Sequence, residues 1–195
     1  MNKIKISIMV YGGGTNYQAL AESVKNGSIE NAEIVRLITG SEKAFALQRA
    51  KALHIPSKVI KDTKDAAEIL DLLKEAETDL VVLAGYLKIL DPEIINAYKK
   101  RIINIHPALL PKFGGRDMYG LNVHKSVINA GEKESGATVH YVDEDVDTGE
   151  IILQKKVPVM PGDTPEKLAA RVLETEHEIL PLAVKNVIAE WKEKD

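Results

Sequence analysis

From Ile4 to Val10 apolar residues alternate with others, and the run stops at Tyr11-Gly12-Gly13-Gly14-Thr15-Asn16 before Tyr17 to Val24 takes up helical spacing. A strand, a glycine turn and a helix are predicted. Glu33 to Thr39 reads as a second strand, Ala44 to Leu53 as a helix, and Lys58-Val59-Ile60 as a short strand after the break at Pro56. Asp65 to Glu77 puts Ile69, Leu70, Leu72 and Leu73 on the buried side of a helix. Asp79 to Ala84 is almost wholly apolar, the pattern of a central parallel strand covered on both faces. Asp91 and Pro92 open a helix that ends near Lys99 and Lys100, and Arg101 to Ile105 is the next strand. Two prolines and two glycines keep His106 to Gly115 out of regular structure.

Beyond that point the alternation weakens: a helix from about Gly120 to Ala130, then strands at Ala137 to Val142 and Ile151 to Val157 around the acidic loop Asp143 to Gly149. Thr164 caps a long last helix, Pro165 to Trp191, which Pro181 is expected to kink or split. No repeat, low-complexity tract or linker interrupts the chain, so residues 1–195 are expected to form one domain. The repeated strand and helix alternation predicts an α/β fold: a doubly wound, mostly parallel twisted sheet with helices on both faces and a long C-terminal helix. In such folds ligands sit at the carboxyl ends of the strands, which puts the candidate sites on three turns, after Val10, after Ala84 and after Ile105.

Composition narrows the chemistry. Hydrophobic residues make up 45% and charged residues 28%, an ordinary globular balance that argues against a disordered or membrane-spanning chain. The 26 Lys and Arg against 29 Asp and Glu leave a net charge of −3, without the basic field that draws proteins onto nucleic acid. With no cysteine, thiolate nucleophiles and Cys-ligated metals are unavailable, and a reducing compartment suits the chain. The amino-terminal apolar run is too short for a signal peptide, and a cytoplasmic location is expected.

The glycine turn joins a strand to a helix, so its N–H groups can hold a phosphate at the positive helix end; a tight turn capped by Thr15 or Asn16 is the other reading. A dinucleotide fingerprint would need glycine at Tyr17, and no Gly-Lys-Ser/Thr follows, so neither NAD nor a Walker-type site is expected. Asn104 and His106 lie two apart at a strand end and share one sheet face, His140 ends another strand, and Asp147 lies in the loop after it. A carboxamide can stabilise an oxyanion, an imidazole can move a proton, and a carboxylate can orient that imidazole and favour its charged form. These are the parts for acyl transfer to an amine, without a covalent nucleophile; spacing alone favours the other reading, a polar strand end with a capping Asn, an exposed His and a solvated acidic loop. His124 and His177 read as helix-surface or packing residues, and His140 either as a hydrogen-bonded neighbour of the site or as a support of its loop. No metal is expected.

Three segments carry a resemblance: Val81 to Leu90, Asn104-Ile105-His106-Pro107-Ala108-Leu109-Leu110-Pro111, and Gly136 to Val142 leading to Asp147-Thr148-Gly149. Across Ile4 to Val187 the chain resembles the phosphoribosylglycinamide formyltransferases, the folate-dependent enzymes of purine synthesis. The resemblance implies formyl transfer from 10-formyltetrahydrofolate, as co-substrate, to glycinamide ribonucleotide, with Asn104, His106 and Asp147 as the catalytic triad. It implies that Gly14, Thr15 and Asn16 take the phosphate side of the ribonucleotide and Glu176 its ribose hydroxyls. The folate is expected among Leu87, Lys88, Ile89, Leu90, Asn104, Val142, Asp143, Glu144, Asp145, Val146 and Asp147, with Lys64 near its tail. Leu173 departs from the polar substrate contact of some members, and Phe113 to Gly120 is longer and differently composed than the usual loop. The rivals are another formyltransferase of the superfamily, whose tRNA-directed members add a carboxyl-terminal domain, and a non-catalytic folate or nucleotide binding module.

Overall fold

A computed structural model describes residues 3–194; Met1, Asn2 and Asp195 of the one-domain expectation lie outside it. Seven strands form one sheet in the order β3-β2-β1-β4-β5-β6-β7. Strands β1 (Ile4–Val10), β2 (Ala32–Thr39), β3 (Ser57–Val59), β4 (Leu80–Leu83) and β5 (Ile102–His106) run parallel. Strands β6 (Glu134–Tyr141) and β7 (Ile151–Pro158) add an antiparallel edge. The sheet is therefore mostly parallel, as expected. Its order reverses between β1 and β4, which opens a crevice at their carboxyl ends.

Period-two alternation divides the core. Ile6, Ile8, Leu80, Val82, Ile103 and Ile105 face the layer of helices α1 (Thr15–Lys25), α2 (Ala46–Ala52), α5 (Leu121–Asn129) and α6 (Pro165–Lys194). Met9, Val81, Leu83 and Ile102 face the opposite layer, α3 (Ala66–Glu75) and α4 (Pro92–Ala97). Asp65 and Asp91 cap α3 and α4 by accepting the amides of Glu68 and Glu93, both at 2.9 Å. Among the described residues no helix is long and apolar enough to cross a membrane.

Three local expectations are corrected. Pro181 does not split the last helix, which runs unbroken from Pro165 to Lys194. The proline costs the helix one backbone bond, but Ile179, Leu180, Ala183, Val184, Val187 and Ile188 form a buried stripe that anchors the helix on both sides of it. His106 belongs to β5 rather than to the irregular stretch after it, because its backbone pairs with Thr138 of β6. Neither Thr15 nor Asn16 caps α1. The cap position is Gly14 in the left-handed region, at φ 71°, where a Cβ would meet Ala46 Cβ at 2.7 Å.

Candidate active site

A cavity of about 970 Å³ opens at the carboxyl ends of β4 and β5. Parity puts Asn104 and His106 on one face of β5, and the antiparallel register sets His140 of β6 directly opposite Asn104. The Asn104 carboxamide nitrogen consequently lies 3.1 Å from His140 Nε2. On its far side, His140 Nδ1 donates to the Tyr141 carbonyl at 2.8 Å, which fixes the tautomer of the neutral ring and leaves Nε2 free to accept from Asn104. One carboxamide hydrogen is thereby held and the other remains for a ligand.

Asp147 reaches the same point from the acidic loop. Gly149 makes this possible, since a Cβ there would stand 1.8 Å from the Tyr141 carbonyl oxygen; the loop can lie this close to β6 only with a glycine. Asp147 itself holds a positive φ of 60°, a conformation costing about 1–3 kcal/mol in a non-glycine residue and found where surrounding contacts impose it. Its Oδ2 accepts the Gly115 amide at 3.0 Å and lies 3.4 Å from His106 Nδ1, while Oδ1 lies 3.5 Å from His140 Nε2. His140 Nε2 thus lies between the Asn104 carboxamide and the Asp147 carboxylate.

His106 is 4% exposed, and its Nε2 donates to the Phe113 carbonyl at 2.8 Å. Burial lowers its pKa; the charge of Asp147 and the Phe113 carbonyl oppose this without overcoming it. The expectation that Asp147 keeps the ring cationic is corrected accordingly: the carboxylate lies where it should, but desolvation is the larger effect. For Asp147 burial acts upward, yet hydrogen bonding to His140, the His106 ring and the Gly115 amide together hold the carboxyl below its ordinary range.

Elsewhere in the cavity wall, Asn16 Nδ2 donates to Glu176 Oε2 at 2.7 Å, joining α1 to α6. Glu176 is 7% exposed, and burial raises its carboxyl to about 7, with the Asn16 bond pulling the other way. It is therefore no solvated face residue. The cavity wall includes Leu87, Lys88, Ile89 and Leu90 from one loop and Val142, Asp143, Glu144, Asp145, Val146 and Asp147 from the other. Gly14 and Thr15 lie beside the cavity rather than in its wall, and Lys64 is not among its lining residues. Lys64 sits in the turn before α3, its amide donating to Asp62.

Sequence reasoning missed part of this wall. The loop before α5 supplies Gly115, Arg116, Asp117, Met118, Tyr119 and Gly120, a segment without periodicity to read. His124 was expected on a surface or in packing; it is 4% exposed, lines the cavity, and its Nδ1 has no partner. Its position, one residue after Val123 and three before Val127, was the available signal of a buried face.

A doubly wound sheet with an amide, an imidazole and a carboxylate gathered in the wall of a mostly apolar cavity defines an enzyme of the acyl-transferring class. The family profile described as Formyl transferase matches residues 4–184, and the chain belongs to that family. It is 40% identical to phosphoribosylglycinamide formyltransferase, chloroplastic, of Arabidopsis thaliana, over 97% of this chain and 68% of that protein. Against phosphoribosylglycinamide formyltransferase of Haemophilus influenzae the identity is 42%, over 93% of this chain and 85% of the relative. The crystal structure of glycinamide ribonucleotide transformylase 1 from Geobacillus kaustophilus superposes with a TM-score of 0.88 at 35% identity, covering 95% of this chain and 99% of that one.

Proposed function

We propose that the protein transfers the formyl group of 10-formyltetrahydrofolate to the amine of glycinamide ribonucleotide, giving N-formylglycinamide ribonucleotide and tetrahydrofolate in purine biosynthesis. The observation that carries this reading is the convergence of Asn104, His106 and Asp147 in the wall of a cavity that also holds the buried Asn16–Glu176 pair.

The amine nitrogen forms a bond to the formyl carbon as the carbonyl electron pair moves onto oxygen. The Asn104 carboxamide hydrogen not engaged by His140 donates to that oxyanion, and donors of this kind are worth roughly 10²–10³ in rate. His106 enters the reaction neutral, with Nε2–H committed to Phe113 and Nδ1 open beside Asp147. Nδ1 takes the proton released by the amine, with Asp147 stabilising the imidazolium that results. Because burial weakens the ring's hold on a proton, the same imidazolium gives it up readily to the folate N10 as the carbon–N10 bond breaks and its electron pair leaves with the folate. No covalent intermediate on the protein is needed.

Leu87, Ile89, Leu90, Val142 and Val146 supply apolar surface for the pterin and its adjoining ring, and Glu176 with Asn16 accepts the ribose hydroxyls. The partners are these small molecules, with neither nucleic acid nor membrane. A cytoplasmic location belongs to the same reading, supported by the absence of cysteine. The decisive experiment supplies the purified protein with glycinamide ribonucleotide and 10-formyltetrahydrofolate. Catalytic release of tetrahydrofolate is expected; binding of both compounds without turnover refutes the reading and leaves a binding module.

A further inference from the structure

Three imidazoles stand in the cavity wall, and two of them are engaged on both ring nitrogens. His106 is held by Phe113 and Asp147, and His140 by Tyr141, Asn104 and Asp147. The His124 side chain has no hydrogen bond or ion pair among the described residues, although it is only 4% exposed. Buried polar groups without a partner are rare and costly, so an imidazole left this way calls for a ligand. Local sequence puts it there. His124 is the fourth residue of α5, and the buried pair Val123 and Val127 turns that side of the helix inward.

The two ring nitrogens differ in access. Nδ1 is shut off from solvent without a partner, whereas Nε2, equally unpartnered, is not shut off; in a residue that lines the cavity it is the atom a ligand reaches. A buried N–H without an acceptor is rarer than a buried lone pair without a donor, which places the ring's one proton on Nε2. Burial and the nearby His106 both act against a second proton. His124 therefore offers the cavity a single neutral N–H.

The ribonucleotide has an acceptor to match. In the reaction proposed above, the Asn104 carboxamide serves the formyl oxygen, and Asn16 with Glu176 takes the ribose hydroxyls. The carboxamide carbonyl of the glycinamide, one carbon from the attacking amine, is left without a donor. His124 lies within electrostatic reach of His106, which takes that amine's proton. A neutral donor suits an amide oxygen, which gains no charge during the transfer.

We infer that His124 is a specificity-determining residue for the amine substrate, its Nε2–H donating to the carbonyl oxygen of an α-amino amide. This rests on the function proposed above.

The test compares glycinamide ribonucleotide with its thioamide counterpart, whose sulfur is a poor acceptor, by calorimetric binding and by turnover. The proteins are the unaltered chain, His124→Phe, which keeps a ring without the donor, and His124→Gln, whose amide N–H can take the place of Nε2. The unaltered protein should bind the thioamide roughly 3–10-fold more weakly, the worth of one neutral hydrogen bond. His124→Phe should raise the Kd and KM for the ribonucleotide by a similar factor, leave kcat and the folate KM nearly unchanged, and no longer distinguish the two compounds. His124→Gln should recover part of the distinction. Equal binding of both compounds by the unaltered protein overturns the inference, and that comparison stands even if His124→Phe does not fold. An undiminished distinction in His124→Phe overturns it too, as does a fall in kcat at unchanged KM, which moves the contact to the transferred group. Binding with the expected distinction but without formyl transfer refutes the proposed function and leaves the contact; formyl transfer without the distinction removes the inference alone.

Discussion

Replacing Glu176 by Gln should make the free protein more stable in alkaline solution and leave it unchanged in acid. The carboxyl is 7% exposed, its one hydrogen-bond partner is the neutral Asn16 amide, and no cation pairs with it among the described residues. Desolvation lifts it from the ordinary 4.5 to about 7. An acid whose folded pKa exceeds its unfolded one weakens the fold as pH rises. Below 4.5 both states hold the proton; between 4.5 and about 7 the unfolded chain releases it first; above about 7 the folded protein bears the whole cost of a buried carboxylate.

That cost is about 3 kcal/mol, or roughly 6–12 °C in melting temperature for a chain of this size. Glutamine keeps an oxygen for Asn16 and removes the charge. Urea unfolding of both proteins at pH 4, 6 and 8.5 measures the difference between them, in which every other titrating group cancels. It should be near zero at the first pH and approach the full value at the last. A pH-independent difference, or a variant less stable at pH 8.5, refutes the assignment of an unpaired buried carboxyl. The same group should release a proton when ribose hydroxyls donate to it, which calorimetry of ribonucleotide binding in buffers of different ionisation enthalpy detects.

Three further outcomes follow from the Asn104, His106 and Asp147 group. Asn104→Ala should lower kcat roughly 10²–10³-fold while the KM for the ribonucleotide stays close to normal, since the missing donor acts on the oxyanion; a change confined to KM contradicts that role. Asp147→Asn keeps an acceptor for Gly115 but removes the main influence raising the His106 pKa. Turnover should fall roughly 10²–10⁴-fold, and the acidic limb of the kcat/KM profile should move to lower pH; near-normal turnover with an unmoved limb rules out the pairing. Gly149→Ala puts a Cβ against the Tyr141 carbonyl and should cost about 1–3 kcal/mol of stability along with most of the activity, because Asp147 is carried by the same loop. Chemical denaturation with parallel assays checks both halves.

Much of the layered fold was legible in the chain because its signals are local. Alternation marked β1, the apolar run marked β4, and acidic caps marked α3 and α4 at or near the observed boundaries. The Asn104, His106, His140 and Asp147 group was also visible, since residues two apart on a strand must share a face and a loop after a paired strand must return near it. The less accurate readings concern residues whose state depends on distant partners. Pro181 looks like a helix breaker until the buried stripe on both sides of it is seen, and Asn16 looks like a cap until α6 brings Glu176 within 2.7 Å.

By itself, then, the order of residues determined which segments become strands and helices and which polar side chains reach the strand ends, because hydrophobic period and capping act within a few residues. Only the tertiary structure decided the electrostatics. Whether His106 rests charged depends on how much water its neighbours exclude, and Glu176 titrates near neutrality because a helix distant in sequence buries it without a cation. Desolvation is a property of the packed surroundings, and no short window of sequence contains them.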